Sequence, residues 1–223
     1  MAAQDILTRP QIDAALESLP HWRYRLGTLH AVLKGPSSAA AIALFATIAE
    51  LAQDANHHPD VDWRYDLLFV TLTSHDAGSE VTARDAALAA EISAAAESAG
   101  ATSHPELMRA VEIAMDSADF PAVADMWRIA LGYKTGRPDD LVDPHGRGPS
   151  LWFQQTDTPN PNRFHFDIHV PRTEAAAVLE ALEAAGATLD HAYAPSFVIA
   201  TDAQGNRLCI CTEAGREPRS SSD

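Results

Sequence analysis

Three histidines in the first half of the sequence are placed where they could act on one substrate. His57 and His58 are adjacent, precede Pro59 and end a segment of helical character, and His75 lies 17 residues beyond His58. The negative end of a helix dipole favours imidazolium, so a histidine at a helix C-terminus can act as a general acid near pH 7. Dehydration needs an acid and a base around one carbon–oxygen bond: one protonates the departing hydroxide and the other removes a proton from nitrogen. The three histidines therefore predict acid–base chemistry.

The same residues also fit a purely structural interpretation. In it, the His57-His58-Pro59 turn only caps a helix and His75 lies on a surface loop, because titratable residues are common near helix ends. Spacing alone leaves both interpretations open.

The elements around the histidines follow from apolar periodicity and turn residues. Two short runs, 22–26 and 29–33, predict a hairpin, and Pro36-Ser37-Ser38 starts the next helix. In that helix apolar residues recur every three or four positions and are expected to face the core. They are Ile42, Phe45, Ile48, Ala49 and Ala52. A single strand is expected at 63–73, and a helix at 82–98 opens with the capping-box spacing of Thr82 and Asp85.

This half resembles the pterin-4a-carbinolamine dehydratase family over roughly residues 5–98. The resemblance lies in His57-His58-Pro59, Tyr65 six residues after the proline, His75 ten after the tyrosine, Asp85 ten after that histidine, and the opening Leu19-Pro20-x-Trp22. It implies helices on one face of an antiparallel sheet, a homodimer or homotetramer, and a pterin bound among the histidines. His57, His58 and His75 would then be the catalytic residues.

The resemblance also assigns the residues that would line or support the pterin site, namely Trp22, Gln53, Pro59 and Asp85. Gln53 departs from the pattern, because the family usually has a charged residue there, most often Glu. A carboxylate could hold a histidine protonated or bond the pterin ring, whereas Gln keeps hydrogen bonding without charge. Two functions therefore stay open: dehydration of the 4a-carbinolamine, or binding of a pterin or partner without turnover.

The second half predicts two βαβββ modules. Residues 101–107 are small, polar and turn-rich and predict a linker between a domain at 1–100 and a domain at 108–213, with a disordered tail at 214–223. A strand at 111–115 precedes a helix that Asp119 caps and that ends at Leu131-Gly132. A strand at 164–170 precedes a helix that ends at Ala185-Gly186, and strand-like runs follow both helices. The expected fold class is α+β with two domains.

These modules resemble the glyoxalase-like branch of the vicinal oxygen chelate superfamily. The resemblance lies in Val111-Glu112-Ile113 with Asp119, in 130–133, in Arg163 to His169, and in 202–206. It implies eight strands curled into a cup, which in metal-dependent members holds a divalent ion. Glu112 and His165 would occupy the first ligand position of each module, but Cys209 stands where those members have a Glu.

The expectation for the cup is therefore an organic ligand and no metal. Two protein ligands rarely hold a divalent ion against water. Asp167 and His169 share the His165 face by strand alternation, and polar groups in an apolar cup typify a small-molecule site. The alternative is a metalloenzyme in which the first domain only dimerises the chain.

Composition narrows the classes of partner. The 16 Lys and Arg against 31 Asp and Glu give a net charge of −15, which disfavours nucleic acid and anionic membranes as partners. Cys209 and Cys211 have no remote cysteine to bridge, and the start of the chain lacks a signal peptide. We expect a cytoplasmic protein.

Overall fold

The computed structural model describes residues 6–121, 124, 133–157, 164–184, 186–201 and 207–214. These residues divide into two compact units, whose main segments are Met1–Met108 and Arg109–Arg216. The predicted end of the first-module helix, the 202–206 segment and the tail from 215 lie outside the described residues.

The first unit is an antiparallel sheet covered by helices on one face. Its strands are β1 (Trp22–Arg25), β2 (Thr28–Lys34), β3 (Asp60–Arg64), β4 (Leu67–Leu72) and β5 (Thr102–Ser103), and its helices are α1 (Arg9–Glu17), α2 (Ser38–Ala55) and α3 (Ala83–Ser98). The sheet order is β1-β2-β4-β3, and β5 also pairs with β2. Alternate residues of β2 and β4, such as Leu29, Leu33 and Val70, pack with the helices in one core. The predicted hairpin at 22–33, the helices α2 and α3, and the placement of helices on one face of an antiparallel sheet are confirmed, whereas α1 was not predicted.

Local signals set the starts of α2 and α3. The Ser37 side chain accepts a hydrogen bond from the Ala40 backbone N–H at the start of α2. Thr82 and Asp85 form a capping box at the start of α3, as predicted. Asn56 ends α2 in the left-handed conformation, with φ of 46°. The chain therefore leaves the helix at His57.

The buried face of α2 includes the predicted Ile48 and Ala52 but not the predicted Ile42, Phe45 and Ala49. The buried residues are Ala41, Leu44, Ile48 and Ala52, whereas Ile42 and Phe45 are 47% and 44% exposed. Two overlapping stripes on this alanine-rich helix satisfy the same periodicity, and the stripe with alanines at both ends packs against α3 and the sheet. Among the described helices, α2 is the one that is long and apolar enough to cross a membrane. The core helices of soluble proteins often meet the same two criteria of length and composition.

Two further expectations are corrected in the first unit. The strand expected at 63–73 is a hairpin, because Tyr65 takes a left-handed conformation, with φ of 58°, in the turn between β3 and β4. The expected linker at 101–107 contains β5 and a 3-10 turn, Pro105–Leu107. Both are tied to the first unit: β5 pairs with the end of β2, and the His104 N–H donates to the Val32 carbonyl.

The second unit is an eight-stranded sheet whose described strands form two sets of four, the first within 110–155 and the second within 164–211. Its strands are β6 (Ala110–Ser117), β7 (Lys134–Thr135), β8 (Asp140–Val142), β9 (Ser150–Gln155), β10 (Phe164–His169), β11 (Thr188–Asp190), β12 (Phe197–Thr201) and β13 (Arg207–Cys211), with α4 (Arg172–Ala184) after β10. Each module closes by a parallel pair, β6 with β9 and β10 with β13, and the modules join through antiparallel β6 and β10. The predicted pairing of two modules is confirmed for the strands and for the helix of the second module, while most of the first-module helix lies outside the described residues.

Candidate active site

His57 lies at the end of α2 and is held by a buried carboxylate from α3. Its Nε2 lies 2.7 Å from Oδ1 of Asp85, and the two side chains are 7% and 0% exposed. A carboxylate can only accept here, so Nε2 carries a hydrogen and Nδ1 is the nitrogen left for a substrate. The buried pair therefore fixes both the orientation and the tautomer of the His57 ring.

Asp85 is held in turn by three further donors. Its Oδ2 accepts from the Ser74 hydroxyl at 2.8 Å, from the Thr82 backbone N–H at 2.7 Å and from the Thr82 hydroxyl at 3.0 Å. The Ser74 and Thr82 hydroxyls also lie 2.8 Å apart. A carboxylate with this many hydrogen-bond donors is held in one orientation within the core.

The same network reaches the turn that carries His75. Ser74 directly precedes His75, which is exposed at the start of a 3-10 turn, His75–Ala77. Within that turn, hydrogen bonding from Arg84 lowers the pKa of Asp76, and the charge of His57 adds a smaller lowering effect. Asp85 therefore links the end of α2, the start of α3 and the His75 turn.

His58 and Gln53 form the exposed part of this region. His58 Nε2 lies 3.4 Å from Oε1 of Gln53, one helical turn back on α2, and both side chains are exposed. Pro59 follows and leads into β3. An exposed and a buried imidazole are thus adjacent in the chain, with different surroundings.

Of the two roles expected for Trp22, lining or supporting the pterin site, burial leaves only the supporting one. It is 1% exposed, and its indole N–H donates to the Ser93 hydroxyl at 2.9 Å within the core. A side chain so enclosed cannot contact a ligand. Conversely, Ser74 and Thr82 were not foreseen as site residues. The capping-box position of Thr82 was a signal for it, but nothing in the sequence pointed to Ser74.

The polar residues of the second unit separate into two groups on one sheet face. Glu112 accepts from the Ser150 hydroxyl at 3.1 Å and lies 3.2 Å from Nε2 of His169. His165 lies with Asp167 and Cys209, and ligand atoms of these three side chains are all within 4.8 Å of one another. Glu112 and His165, expected as equivalent ligands, thus belong to different groups.

Comparison with known proteins identifies the first half. Residues 5–95 match the sequence profile described as Pterin 4 alpha carbinolamine dehydratase. A provisionally named pterin-4-alpha-carbinolamine dehydratase from Acidobacterium capsulatum is 41% identical over 88 residues, which cover 40% of this chain and 95% of that protein. One from Mycolicibacterium smegmatis is 37% identical over 87 residues, covering 39% and 92%.

The chain belongs to the pterin-4a-carbinolamine dehydratase family. Its second half matches a further profile, described as a glyoxalase-like domain, over residues 112–211. The predicted combination of a dehydratase-family domain with a glyoxalase-like domain is therefore confirmed.

Solved structures resemble each half separately. A transcriptional coactivator/pterin dehydratase from Brucella Melitensis is 26% identical, with a TM-score of 0.40, and the match covers 41% of this chain and 99% of that one. A glyoxalase/bleomycin resistance protein/dioxygenase superfamily member from Vibrio splendidus 12B01 is 17% identical, with a TM-score of 0.34, over 48% and 100%.

Proposed function

We propose that the first unit dehydrates a 4a-hydroxytetrahydropterin to the quinonoid dihydropterin, with His57, His58 and His75 as its acid–base residues. The observation that carries the proposal is the Asp85 network. Asp85 orients His57 through a 2.7 Å contact. It also accepts a hydrogen bond from Ser74, the residue directly before His75. A helix cap with a purely structural role would not require a buried carboxylate to orient an imidazole.

The reaction needs two proton transfers and no redox partner. The C4a–O bond breaks as one imidazolium gives its proton to the departing hydroxide, which leaves as water. A second, neutral imidazole removes the proton from a ring nitrogen, and that electron pair forms the carbon–nitrogen double bond. One proton enters the product water and one leaves the pterin, so the enzyme returns to its starting charge.

The different surroundings of the histidines support different roles. His57 is buried and its Nε2 is committed to Asp85, so it acts through Nδ1 in one orientation. His58 is exposed and its contact to Gln53 is long, at 3.4 Å, which leaves it free to turn toward a ligand. We assign the mobile proton donor to His58 and the oriented partner to His57, with His75 on the facing turn contacting the pterin.

The test is a direct dehydration assay with synthetic 4a-hydroxytetrahydropterin. His58→Ala should lower kcat by roughly 10²-fold or more, the size of a general acid–base contribution. Its melting temperature should stay near that of the parent, because the side chain is exposed. His104→Ala, which removes a histidine paired with Glu106 outside this network, serves as the matched control and should keep full turnover. Full turnover in His58→Ala would overturn the assignment.

Gln53 should influence the rate at which the first unit dehydrates the pterin. Gln53→Glu places a carboxylate one helical turn from His58, and a negative charge there favours the imidazolium that donates a proton. We expect the variant to dehydrate the pterin faster than the parent near neutral pH. A parent and a variant that both bind pterin without turnover would instead favour a ligand-binding role for this domain.

For the second unit we propose a small-molecule site on the sheet face that carries Glu112, His165, Asp167, His169 and Cys209. Strand alternation places these residues on one face, and their side chains are largely buried. Polar groups that converge on an enclosed face are the usual anchors of a small ligand.

A further inference from the structure

The His165, Asp167 and Cys209 side chains converge because of strand register. His165 and Asp167 are two residues apart on β10, and Cys209 lies directly opposite Asp167 on the parallel neighbour β13. Residues two apart on a strand, and residues paired across strands, share a face. Among the described residues, these three form the group whose nitrogen, oxygen and sulfur atoms could all reach one ion.

This group differs from the ligand set that the superfamily resemblance implies. Glu112 is the register partner of Asp167, but its carboxylate is in contact with Ser150 and His169. Asp167 supplies the carboxylate in its place. The expectation of a metal-free cup rested on finding only two ligands, and the structure supplies a third.

The side chains of His165, Asp167 and Cys209 are largely buried, and charge is costly in such surroundings. The His165 and Asp167 side chains are 11% and 6% exposed, and Cys209 is 7% exposed. Nε2 of His165 lies 3.6 Å from Oδ1 of Asp167, which is longer than a hydrogen bond. A divalent ion between these groups would add a cationic partner for a carboxylate that is withdrawn from water.

A carboxylate lies near each ring nitrogen of His165, at distances longer than a direct hydrogen bond. Its Nε2 faces Asp167, and its Nδ1 lies 3.9 Å from Oδ1 of Asp116, which Arg207 approaches at 3.7 Å. Metal-binding histidines usually direct their second ring nitrogen at a carboxylate, which sets the tautomer. The Trp152 ring, in edge-to-face contact with His165, restricts the imidazole on another side.

We propose that the second unit binds one zinc-class divalent ion through Nε2 of His165, a carboxylate oxygen of Asp167 and Sγ of Cys209. A thiolate and an imidazole favour a borderline ion such as Zn²⁺ over Mg²⁺ or Ca²⁺, which take oxygen ligands. Three protein ligands leave a fourth tetrahedral position for water or a substrate oxygen. On binding, the Cys209 thiol releases its proton to solvent as the sulfur–metal bond forms.

The test titrates Co²⁺ into the full-length protein after chelator treatment, using Co²⁺ as a coloured substitute for Zn²⁺. We expect one equivalent per chain, visible bands of a tetrahedral ion, and a thiolate-to-metal charge-transfer band. We also expect proton release, so that affinity rises with pH. Zn²⁺ should displace the Co²⁺ and remove its visible bands. These readouts use the parent protein and do not depend on any variant folding.

Variants then identify the ligands. Cys209→Ser should abolish the charge-transfer band, Asp167→Asn should weaken binding at least tenfold, and Asp116→Asn should weaken it about 10- to 100-fold through the orientation of His165. Cys211→Ser, two residues along the same strand, and Glu112→Gln are matched controls and should keep band and stoichiometry. The proposal would be overturned if the parent bound no stoichiometric ion. It would also be overturned if Glu112→Gln abolished binding and the parent showed no thiolate-to-metal charge-transfer band.

Discussion

At the scale of single residues, the dehydratase-family site depends on one buried carboxylate. Asp85 caps α3 through the Thr82 N–H and orients His57 at the same time, with one oxygen for each task. Its side chain has no exposed surface, so it cannot touch a substrate and acts only through His57. If the first unit has the proposed dehydratase activity, Asp85 should affect both its stability and its turnover.

Asp85→Asn tests that coupling. The amide keeps the size of the side chain but loses the charge and one acceptor, so kcat for dehydration should fall about tenfold or more while KM changes little. Stability should fall by roughly 1–3 kcal/mol, because buried donors lose their partner. Asp76→Asn is the control: that carboxylate lies on the adjoining turn, is exposed and pairs with Arg84, and its loss should alter neither quantity much. A selective rise in KM would contradict a positioning role.

His30 couples the stability of the first unit to pH. Burial and the neighbouring Arg25 guanidinium lower the pKa of His30 to about 4, while a hydrogen bond with the Arg25 carbonyl opposes them. Because the unfolded chain takes up this proton near pH 6.5 and the folded chain only near pH 4, stability is full above pH 6.5 and declines through that window on acidification. The loss is at most roughly 3 kcal/mol, since the ring keeps some contact with solvent.

Urea unfolding of the parent and His30→Gln across this pH window measures the effect. The parent should lose more stability than the variant between pH 6.5 and about 4. The difference between the two proteins isolates His30 from the other histidines. Parallel pH curves would show that His30 does not contribute.

At the scale of elements, α2 shows how far periodicity reaches. The sequence predicts the helix, its end at the histidine pair and the burial of Ile48, but Leu44 faces the core where Ile42 and Phe45 were expected. Periodicity identifies a helix, whereas the packing of α3 and the sheet selects which of two overlapping stripes is buried.

Alanine substitutions on the two stripes distinguish them. Leu44→Ala should lower the free energy of unfolding by about 2–5 kcal/mol, because it leaves a cavity in the core. Ile42→Ala should change it by roughly 0.5 kcal/mol or less, as an exposed position does. Chemical denaturation of both variants provides the comparison. Equal losses would place Ile42 against the core.

At the scale of the whole molecule, the boundary of the first unit lies beyond the one that the turn-rich segment predicts. After α3, strand β5 extends the sheet, the His104 N–H bonds to Val32, and Arg25 donates from Nη1 to the Met108 carbonyl. These contacts join 102–108 to the first unit.

Two fragments test this boundary. Residues 1–108 should be more stable to urea than residues 1–100 by about 2 kcal/mol, because truncation at 100 removes the β5 pairing and leaves Arg25 without its carbonyl partner. The comparison needs only urea curves of both fragments under one condition. Equal stabilities would restore the shorter boundary and make 101–107 a linker.

The sequence by itself determined the two domain families, the starts of α2 and α3, and the candidate set of histidines. These depend on local signals: caps at Ser37 and Thr82, periodicity, and the spacing of His57, His58 and His75. Such signals involve only residues close together in the chain, so they can be recognised without the three-dimensional structure.

Only the tertiary structure decided which side chains meet. Ser74 joins His57 through Asp85, Trp22 belongs to the core, and Glu112 turns to His169 while Asp167 joins His165 and Cys209. The physical reason is register: pairing of β10 with β6 and β13 sets which residues from distant parts of the chain share a face, and a shift of one residue would reverse every side chain. No local pattern in the sequence carries that choice.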